Sequence, residues 1–199
     1  MKTELQIIED SRFEIEPGQI SLFDSLNYIM GGDATFTFLS IKTDKRFTFK
    51  CEQSKKYDET LQKVVKQDRW FVSVLTGYNN DSDYSYLGTI DSKSNNKWIL
   101  RFTPKSKVTK EAPSAIAFNF ILDALQNSVT SIDKLRDKLK IFHDGSCSKC
   151  GKHLTDPVSV AIGRGPICAT IEHKQFKQGC KKRGILIDKE NNKLIYPEK

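Results

Sequence analysis

Three cysteines, spaced Cys147-x2-Cys150-x17-Cys168, constrain this chain more than any other feature. Two thiols on one tight turn, with a third brought back from further along, suit a tetrahedral ion, so the intervening chain must fold around a point. Cys147-Ser148-Lys149-Cys150-Gly151 has the form of a zinc knuckle, in which backbone N–H groups face thiolate sulfur and the glycine relieves a crowded turn. Asp156-Pro157 reads as a helix start, because Asp caps and Pro loses nothing at the first helical position. One turn through Val158, Ser159, Val160 and Ala161 then stops at Gly163, and Gly165-Pro166 turns Cys168 back towards the first pair. The expected cofactor is one structural Zn2+ per chain. Its fourth ligand is expected to be His143, four residues before Cys147 on the same approach, with His153, His173 and Cys180 as alternatives.

Concentrating three of five cysteines within 147–168 favours metal ligation in a reducing compartment over a disulfide framework. A chain of 199 residues can bury one sizeable core plus a small metal-stapled module. With 38% hydrophobic and 29% charged residues, wholesale disorder is excluded. No apolar run approaches the roughly 18 to 20 residues that span a bilayer, and Met1-Lys2-Thr3-Glu4 leads into an acidic stretch, so the expected location is the cytoplasm, with no membrane partner.

Three segments are expected: an acidic appendage over 1–30, an α+β core over 31–140 and a zinc-ribbon-like module over 141–199. In the appendage, Ile20, Phe23, Leu26, Tyr28, Ile29 and Met30 suggest a short amphipathic helix docked on the core. Gln19-Ile20-Ser21-Leu22-Phe23 also resembles the pentapeptide by which bacterial proteins bind the DNA-polymerase sliding clamp, making Gln19, Leu22 and Phe23 candidate partner contacts.

Alternation in Thr35 to Leu39 and Arg46 to Lys50 predicts a hairpin, followed by a charged connector over 54–68 with a helical turn around Leu61, Val64 and Val65. Three further strands are expected at Trp70 to Leu75, Tyr84 to Ile90 and Lys97 to Phe102, separated by loops at Gly77 to Asp83 and Asp91 to Asn96. The fold class is therefore α+β, with a five-stranded antiparallel sheet. Helices capping it are expected from Glu111-Ala112-Pro113-Ser114 through Ala115 to Leu125, with Ile116, Phe120 and Leu125 facing the sheet beside Phe118, Ile121 and Leu122, and over Ser131 to Lys140. A basic helix over 169–183 and a terminal hairpin turning at Asn191-Asn192 complete the chain.

The patterns His143-x3-Cys147-x2-Cys150-Gly151, Leu154-Thr155-Asp156-Pro157-x-Ser159 and Gly163-x-Gly165-Pro166-x-Cys168 resemble a zinc-ribbon-like domain of unknown function. That domain occurs in bacteriophage proteins and at the ends of some bacterial proteins that act on nucleic acid. Upstream, Arg69 to Gly77, Asp83 to Ile90 and Ala112 to Phe118 are also similar to phage members, so the resemblance spans about 33–168. It implies His143 as the fourth ligand, since such members carry His-x-Gly ahead of the first Cys, but it implies no activity.

Charge points towards function. Residues 1–30 hold two basic and six acidic groups, whereas 140–199 hold twelve basic and six acidic, within a net charge of +7. Positive potential near the metal motif suits an anionic partner, most plausibly nucleic acid. Lys149, Lys152, Arg164, Lys174, Lys177, Lys181, Lys182 and Arg183 are the candidate phosphate contacts, while Trp70, Tyr78, Tyr84, Tyr86 and Trp98 offer base-stacking surfaces. Walker, nucleophile-elbow and HExxH patterns are missing, and no catalytic residue is expected. The resulting expectation is a phage-encoded, non-catalytic nucleic-acid-binding accessory protein; the alternative is a phage protein that binds a host replication or antiviral-defence protein.

Overall fold

Five consecutive strands, four of them with alternating burial over the part that faces the core, build the centre of the molecule, and two further strands come from segments expected to lie outside it. The computed structural model describes residues 2–93 and 97–197, and these contain six helices and nine strands. Strands β2 (Asp33–Ser40), β3 (Arg46–Asp58), β4 (Lys63–Leu75), β5 (Tyr84–Lys93) and β6 (Lys97–Arg101) form the expected antiparallel meander. Beyond β2 the sheet continues through β7 (Leu139–His143) and ends at β1 (Gln19–Ile20), giving the order β1-β7-β2-β3-β4-β5-β6. The sheet therefore has seven strands, not five. Of the loop expected over Asp91 to Asn96, Asp91 to Lys93 continue β5, and residues 94–96 lie outside the described residues.

Each missed strand has a physical reason. Two residues of β1 are too few to show alternation, and β7 was obscured by the helical spacing of Ile132, Leu135 and Leu139. These three side chains are indeed buried, but α4 covers only Val129–Asp133, and turns then carry the chain into β7, where Leu139 and Ile141 point inward. The connector over 54–68 is no helical turn either; it is the outer half of the β3–β4 hairpin.

One face of the sheet is dry. Phe36, Phe38, Phe49, Val72, Leu87 and Ile141 meet α2 (Leu22–Ile29), α3 (Pro113–Ala124) and α4 in a continuous core. Phe118 of α3 packs against the rings of Phe36, Phe38 and Phe49 at 4.9–6.4 Å. Ala115, Phe118, Ile121, Leu122 and Leu125 form the buried stripe of α3 and its cap, so Ile116 and Phe120 lie off it and are exposed, contrary to the expected orientation.

Residues 1–30 are no appendage. Helix α1 (Glu4–Ser11) starts in a Thr3–Gln6 capping box, and Ile20, Leu22, Tyr28 and Ile29 belong to the main core. Phe13 belongs instead to a second apolar cluster with Val158, Phe176, Cys180 and Ile185, stacking on Phe176 at 4.7 Å. That cluster unites α5 (Pro157–Ile162), α6 (Thr170–Lys182) and the hairpin of β8 (Leu186–Asp188) with β9 (Lys193–Ile195). Boundaries at 30 and 140 thus cut through shared structure, and β7 straddles the second one. The C-terminal unit is more helical than a ribbon: between β7 and its terminal hairpin, its β structure among the described residues is the single bridge between Ser146 and His153. Among the described residues no helix is long and apolar enough to cross a membrane.

Candidate metal centre and basic surface

The knuckle is locked by its own backbone and seated by α2 and β2. The Gly151 N–H donates to the Cys147 carbonyl at 2.8 Å, and the Cys147 N–H to the Lys152 carbonyl at 2.8 Å. The Asp33 N–H at the start of β2 donates to the Ser148 carbonyl, and the buried Tyr28 hydroxyl reaches the carbonyls of Thr35 and Ser146 at 3.2 and 3.3 Å. The second half of the site follows the local cues. The Asp156 carboxylate accepts the N–H groups of Val158 and Ser159 at 3.1 Å, α5 ends at Gly163 with φ 66°, and the Ser148 N–H donates to the Gly163 carbonyl. Cys168 returns on the turn before α6, its N–H bonded to the Gly165 carbonyl at 3.0 Å.

Folding brings Cys147, Cys150 and Cys168 together, with their sulfur atoms all within 4.8 Å of one another. Cys168 and Cys150 are 3.6 Å apart, close to the roughly 3.8 Å between two thiolates on a tetrahedral ion with bonds near 2.3 Å. Burial pushes the Cys147 thiol up, but N–H donors from Gly165, Lys149 and Cys150 outweigh it and hold this thiol below its ordinary value. Cys168 is pushed up to about 11 by burial and by its two sulfur neighbours. Three adjacent thiolates repel one another without a cation between them, and this donor set fits a soft metal ion.

A family model matches this stretch: DUF6011, a family of unknown function, over residues 141–173. No curated protein and no solved structure matches the chain.

His143 does not join the thiols. Its Nε2–H donates to the Val160 carbonyl at 2.8 Å, and its Nδ1 accepts the Gly145 N–H at 2.9 Å, so both ring nitrogens are engaged and the ring is held neutral. Burial holds its pKa below the ordinary value, and the bond to Val160 opposes this only in part. His173 is buried and donates from Nε2 to the Arg164 carbonyl at 2.8 Å; Cys180 lies in the second apolar cluster, and His153 is exposed. Among the described residues no fourth Cys, His, Asp or Glu completes the thiol group. With Cys150 exposed, the cluster opens towards solvent.

The basic residues divide sharply. Lys149, Lys152, Lys174, Lys177, Lys181 and Lys182 are exposed, and among the described residues they enter no ion pair. Lys174, Lys177 and Lys181 recur at helical spacing on one face of α6. Arg164 and Arg183 are structural. Arg164 is largely buried beside Glu172, and Arg183 binds Glu9 and Asp10 of α1 while lying over the Phe13 ring at 4.4 Å. Gln19 pairs with Phe142, Leu22 is buried and Phe23 packs against the core, so the clamp-like pentapeptide is not a free ligand. Trp70 and Trp98 meet edge to face at 5.0 Å against the core, whereas Tyr78 is fully exposed and Tyr84 lies beneath the Lys50 amine.

Proposed function

We propose that this protein is a non-catalytic nucleic-acid-binding accessory protein whose C-terminal unit is stapled by one Zn2+ and presents lysines to backbone phosphate. The supporting observation is the set of six exposed lysines that enter no ion pair among the described residues, carried by the knuckle and by α6, on the unit that the three thiols close. Zinc fits the donor set because thiolates select soft ions and a structural zinc site adds folding free energy to a small unit. Cys147, Cys150 and Cys168 would hold it, leaving the fourth position to solvent or to a group outside the described chain. The resemblance of residues 33–168 to phage proteins supports a setting in the cytoplasm of an infected bacterium.

The test is binding to duplex and single-stranded DNA and RNA across a salt series. Each phosphate contact contributes about 0.9 to the slope of log affinity against log salt on duplex DNA, so the triple substitution Lys174→Ala, Lys177→Ala, Lys181→Ala should lower that slope by about 2 to 3. Absence of salt-dependent binding to any of these nucleic acids would refute the proposal. One observation favours a second reading, contact with a host replication or defence protein: Ile116 and Phe120 stand exposed one helical turn apart on α3. That reading predicts salt-insensitive co-purification with a host protein, lost in Phe120→Ser.

A further inference from the structure

The β3–β4 hairpin outgrows its sheet. Pairing of β2 with β3 ends at Asp33–Glu52, and pairing of β5 with β4 ends at Arg69–Asp91, yet β3 and β4 continue together through Lys55–Lys66, Lys56–Val65, Tyr57–Val64 and Asp58–Lys63. At about 3.3 Å per residue these pairs and the turn form a two-stranded ribbon reaching roughly 15 Å beyond the sheet. The Asp58 carboxylate, accepting the Leu61 N–H at 2.9 Å, shapes the turn, which Gln62 closes at φ 47°.

Stability does not account for this ribbon. Two strands alone are marginal in water, and like charges directly opposite one another, as at Lys55 and Lys66, weaken the pairing. Tyr57, Leu61 and Val64 are each more than half exposed, although burial would favour folding. Lys55, Lys56, Lys63 and Lys66 enter no ion pair among the described residues; Lys66 arches back towards Gly32 at the ribbon's base. Because side chains alternate along each strand, Lys55, Tyr57, Val64 and Lys66 share one face. That face carries cations from both strands and an apolar pair nearer the tip.

We propose that this ribbon enters the major groove of duplex DNA, with Lys55 and Lys66 on phosphates of the two strands and Tyr57 and Val64 against base edges. The inference rests on the nucleic-acid reading above and adds to it both a reading element and a substrate class. The major groove admits a two-stranded β-ribbon, lysines on both strands match its flanking phosphates, and an apolar pair suits the thymine methyl groups on its floor.

The experiment measures fluorescence anisotropy of labelled duplex and single-stranded DNA between about 50 and 200 mM salt. It compares the full chain with Lys55→Ala/Lys66→Ala, Tyr57→Ser/Val64→Ser and the α6 triple variant. Unchanged thermal melting would show that the ribbon variants fold. The lysine pair should lower duplex affinity about tenfold and the salt slope by about 2, and the Tyr57/Val64 pair should reduce discrimination between duplex sequences. If the unaltered chain binds duplex and both ribbon variants match it, the ribbon inference fails while the nucleic-acid reading stands. Binding to single strands alone has the same consequence. If the unaltered chain binds no nucleic acid, the broader reading fails, and the ribbon inference with it. Self-association seen by sedimentation and lost in Tyr57→Ser/Val64→Ser would identify a second copy as the occupant and overturn the inference.

Discussion

Replacing Gly163 by alanine tests whether the thiol-bearing unit is pressed onto the sheet core through Tyr28. Gly163 ends α5 at φ 66°, and a Cβ built there would lie 2.6 Å from Cδ2 and Cε2 of the Tyr28 ring. Left-handed backbone costs an alanine about 1–2 kcal/mol. The contact adds more, because the ring has little room: Tyr28 is 1% exposed and packs against Phe36 and His143 at 6.5 and 5.9 Å. Overpacking of this kind costs about 1–3 kcal/mol, so the total is about 2–5 kcal/mol. Gly18→Ala is the matched control, with φ 75° and no atom within 4 Å of its added Cβ, and should lose only the backbone contribution. In urea unfolding of the metal-loaded protein, a slope of about 2 kcal/mol/M converts the Gly163 loss to a midpoint lowered by roughly 1–2.5 M. Equal losses at the two positions would refute the claimed contact, since the difference between them measures the pressure on Tyr28.

Other outcomes follow from the same geometry. For the zinc site proposed above, elemental analysis should find about one zinc per chain in the unaltered protein and in His143→Asn but none in Cys150→Ser; loss of zinc in the histidine variant would mean that the ring leaves Val160 to ligate. Because burial holds the His143 pKa below its ordinary 6.5, the unfolded chain takes up a proton first as pH falls. Stability is therefore full above about pH 6.5 and declines as pH falls towards the folded value, and His143→Asn should flatten that profile in metal-loaded samples melted between about pH 5 and 7. Arg183→Ala should cost about 1–2 kcal/mol, from the lost pairing with α1 and the lost contact with Phe13, yet leave unchanged the salt slope of the nucleic-acid binding proposed above. A reduced slope would show that Arg183 touches phosphate after all.

Legibility tracked the range of the interactions involved. Asp156-Pro157, Gly163 and the Cys147-x2-Cys150-Gly151 turn are encoded within a few residues, and α5 and the knuckle formed as those residues dictate. Helix α1 is equally local, but its signal is only Thr3-x-x-Gln6, a capping box without a strong apolar stripe behind it. The connector over 54–68 misled because a ribbon with no core to face shows charge in place of alternation, so Leu61, Val64 and Val65 mimicked a helical turn. His143 could not be read because its partners, Val160 and Gly145, become neighbours only when α5 folds against β7.

By itself the sequence determined the meander of β2 to β6, the start of α3, the bracketing of α5 and the three thiols that share one point, because short-range sterics and side-chain alternation leave few alternatives. The tertiary structure alone decided that Gln19 to Phe23 close the sheet and the core, that Arg164 and Arg183 bind within the fold while the α6 lysines remain exposed, and that His143 turns from the thiols. Those outcomes depend on which surfaces meet when distant segments pack. A side chain's charge or ligating atom says what it can bind, and only its packed neighbours settle whether it is free to do so.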